Sequence, residues 1–153
     1  MRCDIVYKKI LLPTDGSKCA EKAAQHAILL ASQNNAELIV LNILETHSLA
    51  GVPVEDFTRK VNEIFRQEGI NALERISKLY KDLSREKDIR SFKLTLKTEK
   101  GHPADMILQT TEKENIDLVV MGASGKHAIE RFILGSVAEK VVRHAKCPVL
   151  TVH

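Results

Sequence analysis

Tryptophan is missing from this 153-residue sequence and aromatic side chains make up only 4% of it, so whatever core it builds is aliphatic. Cysteine is scarce as well: Cys3, Cys19 and Cys147 are widely separated and form no C-x-x-C pair. An odd, scattered set argues against a secreted disulfide framework or a zinc knuckle and fits a reducing, cytoplasmic setting. No apolar run approaches the length of a membrane span, and Asp4 interrupts the N-terminus before any sustained apolar stretch. The expectation is a soluble protein without a signal peptide and without a membrane partner. A large charge of one sign is also lacking. The net charge of +3 can help attract anions but is too small to mark a nucleic-acid binder.

What is present is ordinary for a globular domain: 44% hydrophobic and 28% charged residues, in a chain long enough for one core without staples. A single domain over 1–153 is expected. Ile10-Leu11-Leu12, stopped by Pro13 and the turn pair Asp15-Gly16, reads as a buried strand entering a loop. Ser17 is a candidate N-cap, after which Ala20, Ala23, Ala24, Ala27, Leu30 and Ala31 recur at helical spacing. Leu38 to Leu44, aliphatic apart from Asn42, has the pattern of a parallel strand covered on both faces.

After a loop with Gly51 and Pro53, Phe57, Val61, Ile64, Phe65, Leu73, Ile76, Leu79, Tyr80 and Leu83 keep a helical stripe. Gly69 inside it marks either a bend or a break. Phe92, Leu94 and Leu96 alternate with Lys93, Thr95 and Lys97, as in an edge strand with one wet face. Pro103 opens another helix, Leu118 to Met121 form a fully apolar strand, and a last helix from Ser136 precedes Pro148 and the strand Val149 to Val152. Strands alternating with helices call for an open α/β fold, with a mostly parallel five-stranded sheet and helices on both faces.

The chemistry lies after the fourth strand, where Gly122-Ala-Ser-Gly125 is followed nine residues later by Gly135-Ser136 at the start of the last helix. Three of the seven glycines fall here. Glycine lets backbone amides approach a ligand, and free N–H groups at a helix start favour negative charge, so Gly135, Ser136 and Val137 are candidate phosphate donors. A blander reading also fits: Gly122 and Gly125 make a tight turn and Ser136 caps the helix. A Walker A loop is excluded because Val120 and His127 stand where Gly and Ser or Thr belong, and no G-x-G-x-x-G occurs. Asp15 follows an apolar strand and so should lie at a rim, either facing a ligand or forming the turn before Gly16. Lys126, His127 and Arg131 lie between the glycines and either reach a polyphosphate or are plain surface charges. His144 and Cys147 are read as a helix end rather than metal ligands.

The spacing Gly-x2-Gly-x9-Gly-Ser resembles that of the ATP-binding branch of the universal stress proteins. The likeness runs from Lys8-Lys9-Ile-Leu-Leu-Pro13-Thr14-Asp15-Gly-Ser17, through Gly101-His-Pro103, to Gly135-Ser136-Val137-Ala138 and Cys147-Pro-Val-Leu-Thr-Val152. This resemblance implies a Rossmann-like sheet of the adenine nucleotide alpha hydrolase type, in the order 3-2-1-4-5, with the ends of the first and fourth strands side by side where the winding reverses. It implies that Pro13, Thr14 and Asp15 line the base and ribose, that the Ile43 backbone addresses the adenine edge, and that Met121 and Gly122 flank the nucleoside. Gly125, Gly135, Ser136 and Val137 would hold the phosphates of ATP, together with Mg2+ or Mn2+ ligated largely by phosphate and water. Read from the residues alone, Ile43 is only a core-strand position.

The implied function is an ATP-dependent regulatory switch in the stress response, acting as a homodimer paired through the apolar C-terminal strand and open to a further protein partner. A nucleotide-independent dimeric interaction module is the main alternative. Hydrolysis needs a positioned water and stabilised charge, and Asp15 is the only carboxylate expected nearby, so slow or partner-dependent turnover is the most to expect. The S-G-G-x-D-S loop of ATP pyrophosphatases is absent at Pro13-Thr-Asp-Gly-Ser17, and Thr98-Glu99-Lys100 does not supply a receiver-domain phosphoacceptor.

Overall fold

The computed structural model describes residues 7–45, 55–86, 88–125 and 134–153, with only the backbone of 55–58. Lys126, His127, Arg131, Cys3 and the Gly51-Pro53 loop therefore lie outside the described residues, as does the Phe57 side chain. Five strands and four helices alternate: β1 Lys9–Pro13, α1 Lys18–Asn34, β2 Glu37–Leu44, α2 Glu55–Glu86, β3 Leu94–Lys100, α3 Pro103–Lys113, β4 Leu118–Gly122, α4 Ser136–His144 and β5 Val149–Val152. The sheet runs β3-β2-β1-β4-β5, every pair parallel, with Ile10 opposite both Leu38 of β2 and Leu118 of β4.

Because side chains alternate along a strand, the central strands bury two separate aliphatic layers. Ile10, Leu12, Leu38, Val40, Leu118 and Val120 face α1 and α2, while Leu11, Ile39, Leu41, Val119 and Met121 face α3 and α4. Ala23, Ala24, Ala27 and Ala31 of α1 are fully buried, and their small side chains bring that helix close to the sheet. Helix boundaries follow local chemistry. The Ser17 hydroxyl accepts from the Ala20 amide at 3.2 Å, Asn35 ends α1 in the left-handed conformation at φ 52°, and Pro103 occupies the first turn of α3.

Two readings needed the third dimension. α2 passes through Gly69 as one helix of 32 residues. The glycine is there because a β-carbon would stand 2.3 Å from Asn42 Oδ1 on β2, so it serves close packing and does not break the helix. On β3 the expected wet and dry faces are not cleanly divided. Leu94 packs into the core as expected, but Leu96 is 42% exposed. Thr95 and Lys97, expected on the wet face, are instead half-buried, Thr95 donating to Glu37 and Lys97 paired with Glu114. Acidic partners on β2 and after α3 draw in the polar side chains of this edge strand, an effect that periodicity in one segment does not reveal.

Candidate functional site

The winding reverses between β1 and β4, and the loops leaving their carboxyl ends border one cleft of about 860 Å³. That falls within the range of about 300–1,000 Å³ usual for ligand pockets. The β1 exit is held by short local bonds. The Thr14 amide donates to the Leu41 carbonyl at 2.9 Å, the Gly16 amide to Thr14 Oγ1 at 3.2 Å, and the Ser17 amide to Asp15 Oδ1 at 2.9 Å. Gly16 takes φ +76°, a turn conformation that costs glycine nothing. Thr14 is buried and Asp15 exposed, so the loop presents its carboxylate to the rim.

The β4 exit is built by close approach. A β-carbon on Gly122 would lie 3.0 Å from backbone atoms of Cys19 and Ala20, and one on Gly125 would lie 2.9 Å from Asp15 Oδ2. The Ala123 amide donates to Val152 of β5, and its carbonyl accepts from the Gly135 amide, both at 2.8 Å. Cys19 Sγ and Ser124 Oγ sit 3.4 Å apart, joining the first turn of α1 to the glycine loop.

Helix α4 then begins with Gly135 as the N-cap residue and no side-chain cap. The expectation that Gly135 donates to a ligand is therefore corrected: its N–H is already used by Ala123. Ser136 is the first helical residue rather than the cap. The amides of Ser136 and Val137 have no backbone acceptor among the described residues, and they carry the positive end of the helix dipole.

Pro13, Thr14, Asp15, Ile43, Met121, Gly122, Gly125, Gly135, Ser136 and Val137, drawn from β1, β2, β4, α4 and the loops that flank them, all border this one cleft. Sequence reasoning missed Asn42, Phe65, Glu68 and Ser124, which border it too. Asn42 carried a signal, being the lone polar residue in the aliphatic run Leu38 to Leu44. Phe65 and Glu68 carried none, since only tertiary packing brings α2 to the cleft wall.

Near the cleft, the Lys140 ammonium 2.6 Å from Asp105 ties α4 to the first turn of α3 and holds the Asp105 carboxyl below its usual range. Asp15 and the amides of Ser136 and Val137, which have no backbone acceptor among the described residues, flank the same space with opposite polarity. A ligand with hydroxyl donors at one end and anionic oxygens at the other matches that arrangement.

Such a cleft, at the reversal point of a parallel sheet and edged by glycines, defines a Rossmann-like α/β domain with an open cleft at the carboxyl ends of its strands. Residues 6–153 match the model of the universal stress protein family, and the chain belongs to that family. A universal stress protein of Methanocaldococcus jannaschii is 37% identical over 147 residues, covering 96% of this chain and 82% of that one. Among solved structures, the universal stress protein UspA of Lactobacillus plantarum superposes with a TM-score of 0.82 at 24% identity, over 98% of this chain and all of that one. A family member from Arabidopsis thaliana, solved with AMP bound, gives a TM-score of 0.64 at 20% identity, over 95% of this chain and 90% of its own. Among the described residues, no helix is long and apolar enough to cross a membrane.

Proposed function

We propose that this protein is an ATP-binding universal stress protein whose nucleotide occupancy biases its conformation or its choice of partner in the stress response. The observation that carries the reading is the convergence of Asp15, the Gly125 cradle and the free amides of Ser136 and Val137 on one cleft. In this reading Thr14 and Asp15 meet the ribose, where the carboxylate accepts from a hydroxyl. The Ile43 backbone meets the adenine edge, Met121 and Gly122 flank the nucleoside, and Gly125, Ser136 and Val137 meet the phosphates. The AMP in the Arabidopsis relative supports only the capacity of the fold for an adenine nucleotide.

A Mg2+ or Mn2+ ion fits the same proposal as a largely phosphate-held cation, with the Asp15 carboxylate against Gly125 and those of Glu45 and Glu68 also bordering the cleft. In this proposal turnover is slow, the protein acting as a switch rather than an efficient enzyme, although Glu45 and Glu68 border the cleft as well as Asp15. A homodimer is part of the proposal. β5 is an edge strand with Leu150 37% exposed, and pairing with a second copy would cover that edge. A cytoplasmic setting follows from the cysteine usage.

Equilibrium dialysis with ATP and Mg2+, together with mass spectrometry of small molecules released on denaturing freshly purified protein, tests the reading. Retention of an adenine nucleotide is expected. No retention at millimolar ATP would leave a nucleotide-independent interaction module in its place, and rapid multiple-turnover phosphate release would contradict the switch.

A further inference from the structure

Asn42 is only 5% exposed and lies on β2 beneath α2, at the back of the cleft. Its Nδ2 donates to the Thr14 carbonyl at 2.9 Å, across the top of β1. A carbonyl can only accept, which fixes the orientation of the side-chain amide and turns Oδ1 away from Thr14, toward α2. There Oδ1 is buried without a hydrogen-bond partner among the described residues. It lies against Gly69, where a β-carbon would stand 2.3 Å from Oδ1 and 3.1 Å from Cγ. The helix thus gives up a β-carbon, which alanine would supply with better helix propensity, to seat an amide whose only bond is to the loop that carries Asp15.

We propose that Asn42 is the positioning residue of the cleft. Clamped from behind by Gly69, it holds the Thr14 carbonyl and thereby the Thr14–Asp15 loop in the geometry that receives the ligand. It touches no phosphate and acts through Thr14. The inference rests on the nucleotide reading for its ligand, but its structural half stands apart from that reading. Without the clamp the Thr14 carbonyl loses its donor, and the turn bonds from the Gly16 and Ser17 amides lose their anchor.

The test compares wild type, Asn42→Ala, Gly69→Ala, the double variant Asn42→Ala/Gly69→Ala, and Leu79→Ala as a control that weakens the packing of the same helix ten residues further along it from Gly69. Two quantities are read: 1H–15N chemical shifts and amide exchange at Gly16 and Ser17 without ligand, and ATP affinity by titration calorimetry with Mg2+. Both single variants are expected to shift the Gly16 and Ser17 resonances, to speed their exchange and to weaken ATP by roughly five- to fifty-fold, the range set by leaving one buried polar group unpaired. Leu79→Ala should lower the melting temperature while leaving those resonances in place. The double variant should be no worse than Asn42→Ala alone, because removing the amide makes room for the new β-carbon. Unchanged resonances and affinity in Asn42→Ala overturn the proposal, as do additive losses in the double variant. If wild type itself fails to bind ATP, the nucleotide reading falls, and the Gly16 and Ser17 resonances still decide whether Asn42 positions the loop.

Discussion

The carboxylate of Asp15 rests where a side chain at Gly125 would begin, with Oδ2 only 2.9 Å from the position of an added β-carbon. Gly125→Ala must therefore displace the carboxylate or shift the loop. Since Asp15 is exposed and Gly125 ends a strand exit, the fold should lose less than about 1 kcal/mol. Affinity for ATP should fall by roughly tenfold or more as a ribose hydroxyl loses a charged acceptor. Calorimetric titration beside thermal unfolding checks this, and an unchanged affinity would remove Asp15 from the site.

Gly122→Ala should behave in the opposite way. Its β-carbon would meet backbone atoms of Cys19 and Ala20 at 3.0 Å, and backbone yields less readily than the end of a flexible side chain. Overpacking of this kind costs about 1–3 kcal/mol. Urea denaturation is expected to show that loss as a lower midpoint with an unchanged slope. The contrast between these two neighbouring glycines separates a packing requirement from a binding one.

Glu37 makes the lower end of the sheet sensitive to acid. The Lys93 ammonium 2.9 Å away, with a further bond from Thr95, holds its carboxyl below the usual 4.5 even though burial opposes this. A carboxyl lowered in the folded state contributes stability that is fully present above its unfolded pKa and is lost as pH falls through the folded one. Glu37→Gln should therefore be less stable than wild type at neutral pH, and the gap should close below about pH 4. Chemical denaturation at a series of pH values reads it; a gap that stays constant with pH would contradict the assignment. Lys93 is 72% exposed, so added salt should narrow the neutral-pH gap.

At the other edge of the sheet, Leu150→Asp changes a side chain that is already 37% exposed, so the monomer should keep its fold. Under the dimer proposal it places two like charges near a twofold axis on an apolar edge strand. Sedimentation at micromolar concentration should move from dimer toward monomer. A wild-type protein that sediments as a monomer under the same conditions would contradict pairing through β5.

Much of this architecture could be read from the chain because its signals are local. Ser17 as a cap, Pro103 at a helix start and the aliphatic runs of β1, β2 and β4 each contain their own cause within a few residues. The strand order came from likeness to a family rather than from pattern. What stayed hidden depends on partners distant in sequence. Gly69 is explained only by Asn42 and the exposure of Leu96 only by the tertiary cover of an edge strand. The spent amide of Gly135 is explained only by the carbonyl of Ala123 across the loop. Asp15, the glycines, Ser136 and Val137 were marked in the sequence by backbone exits and a helix start, and Pro13, Thr14, Ile43 and Met121 were named only through likeness to a family, whereas Phe65 and Glu68 sit on a helix stripe that looks the same with or without a cleft beside it.

Because β1 lies between β2 and β4, the first strand of the chain finds one of its two neighbours, Leu118 and Val119, only after most of the sequence has been made. Closing so long a loop is entropically slow. A chain emerging from the ribosome can pair β1 with β2 early, yet has no cleft until β4, the start of α4 and the Val152 carbonyl that holds Ala123 arrive. The cleft is thus the feature that synthesis completes last, and a chain truncated by its final strand would forfeit it while keeping much of its helical content.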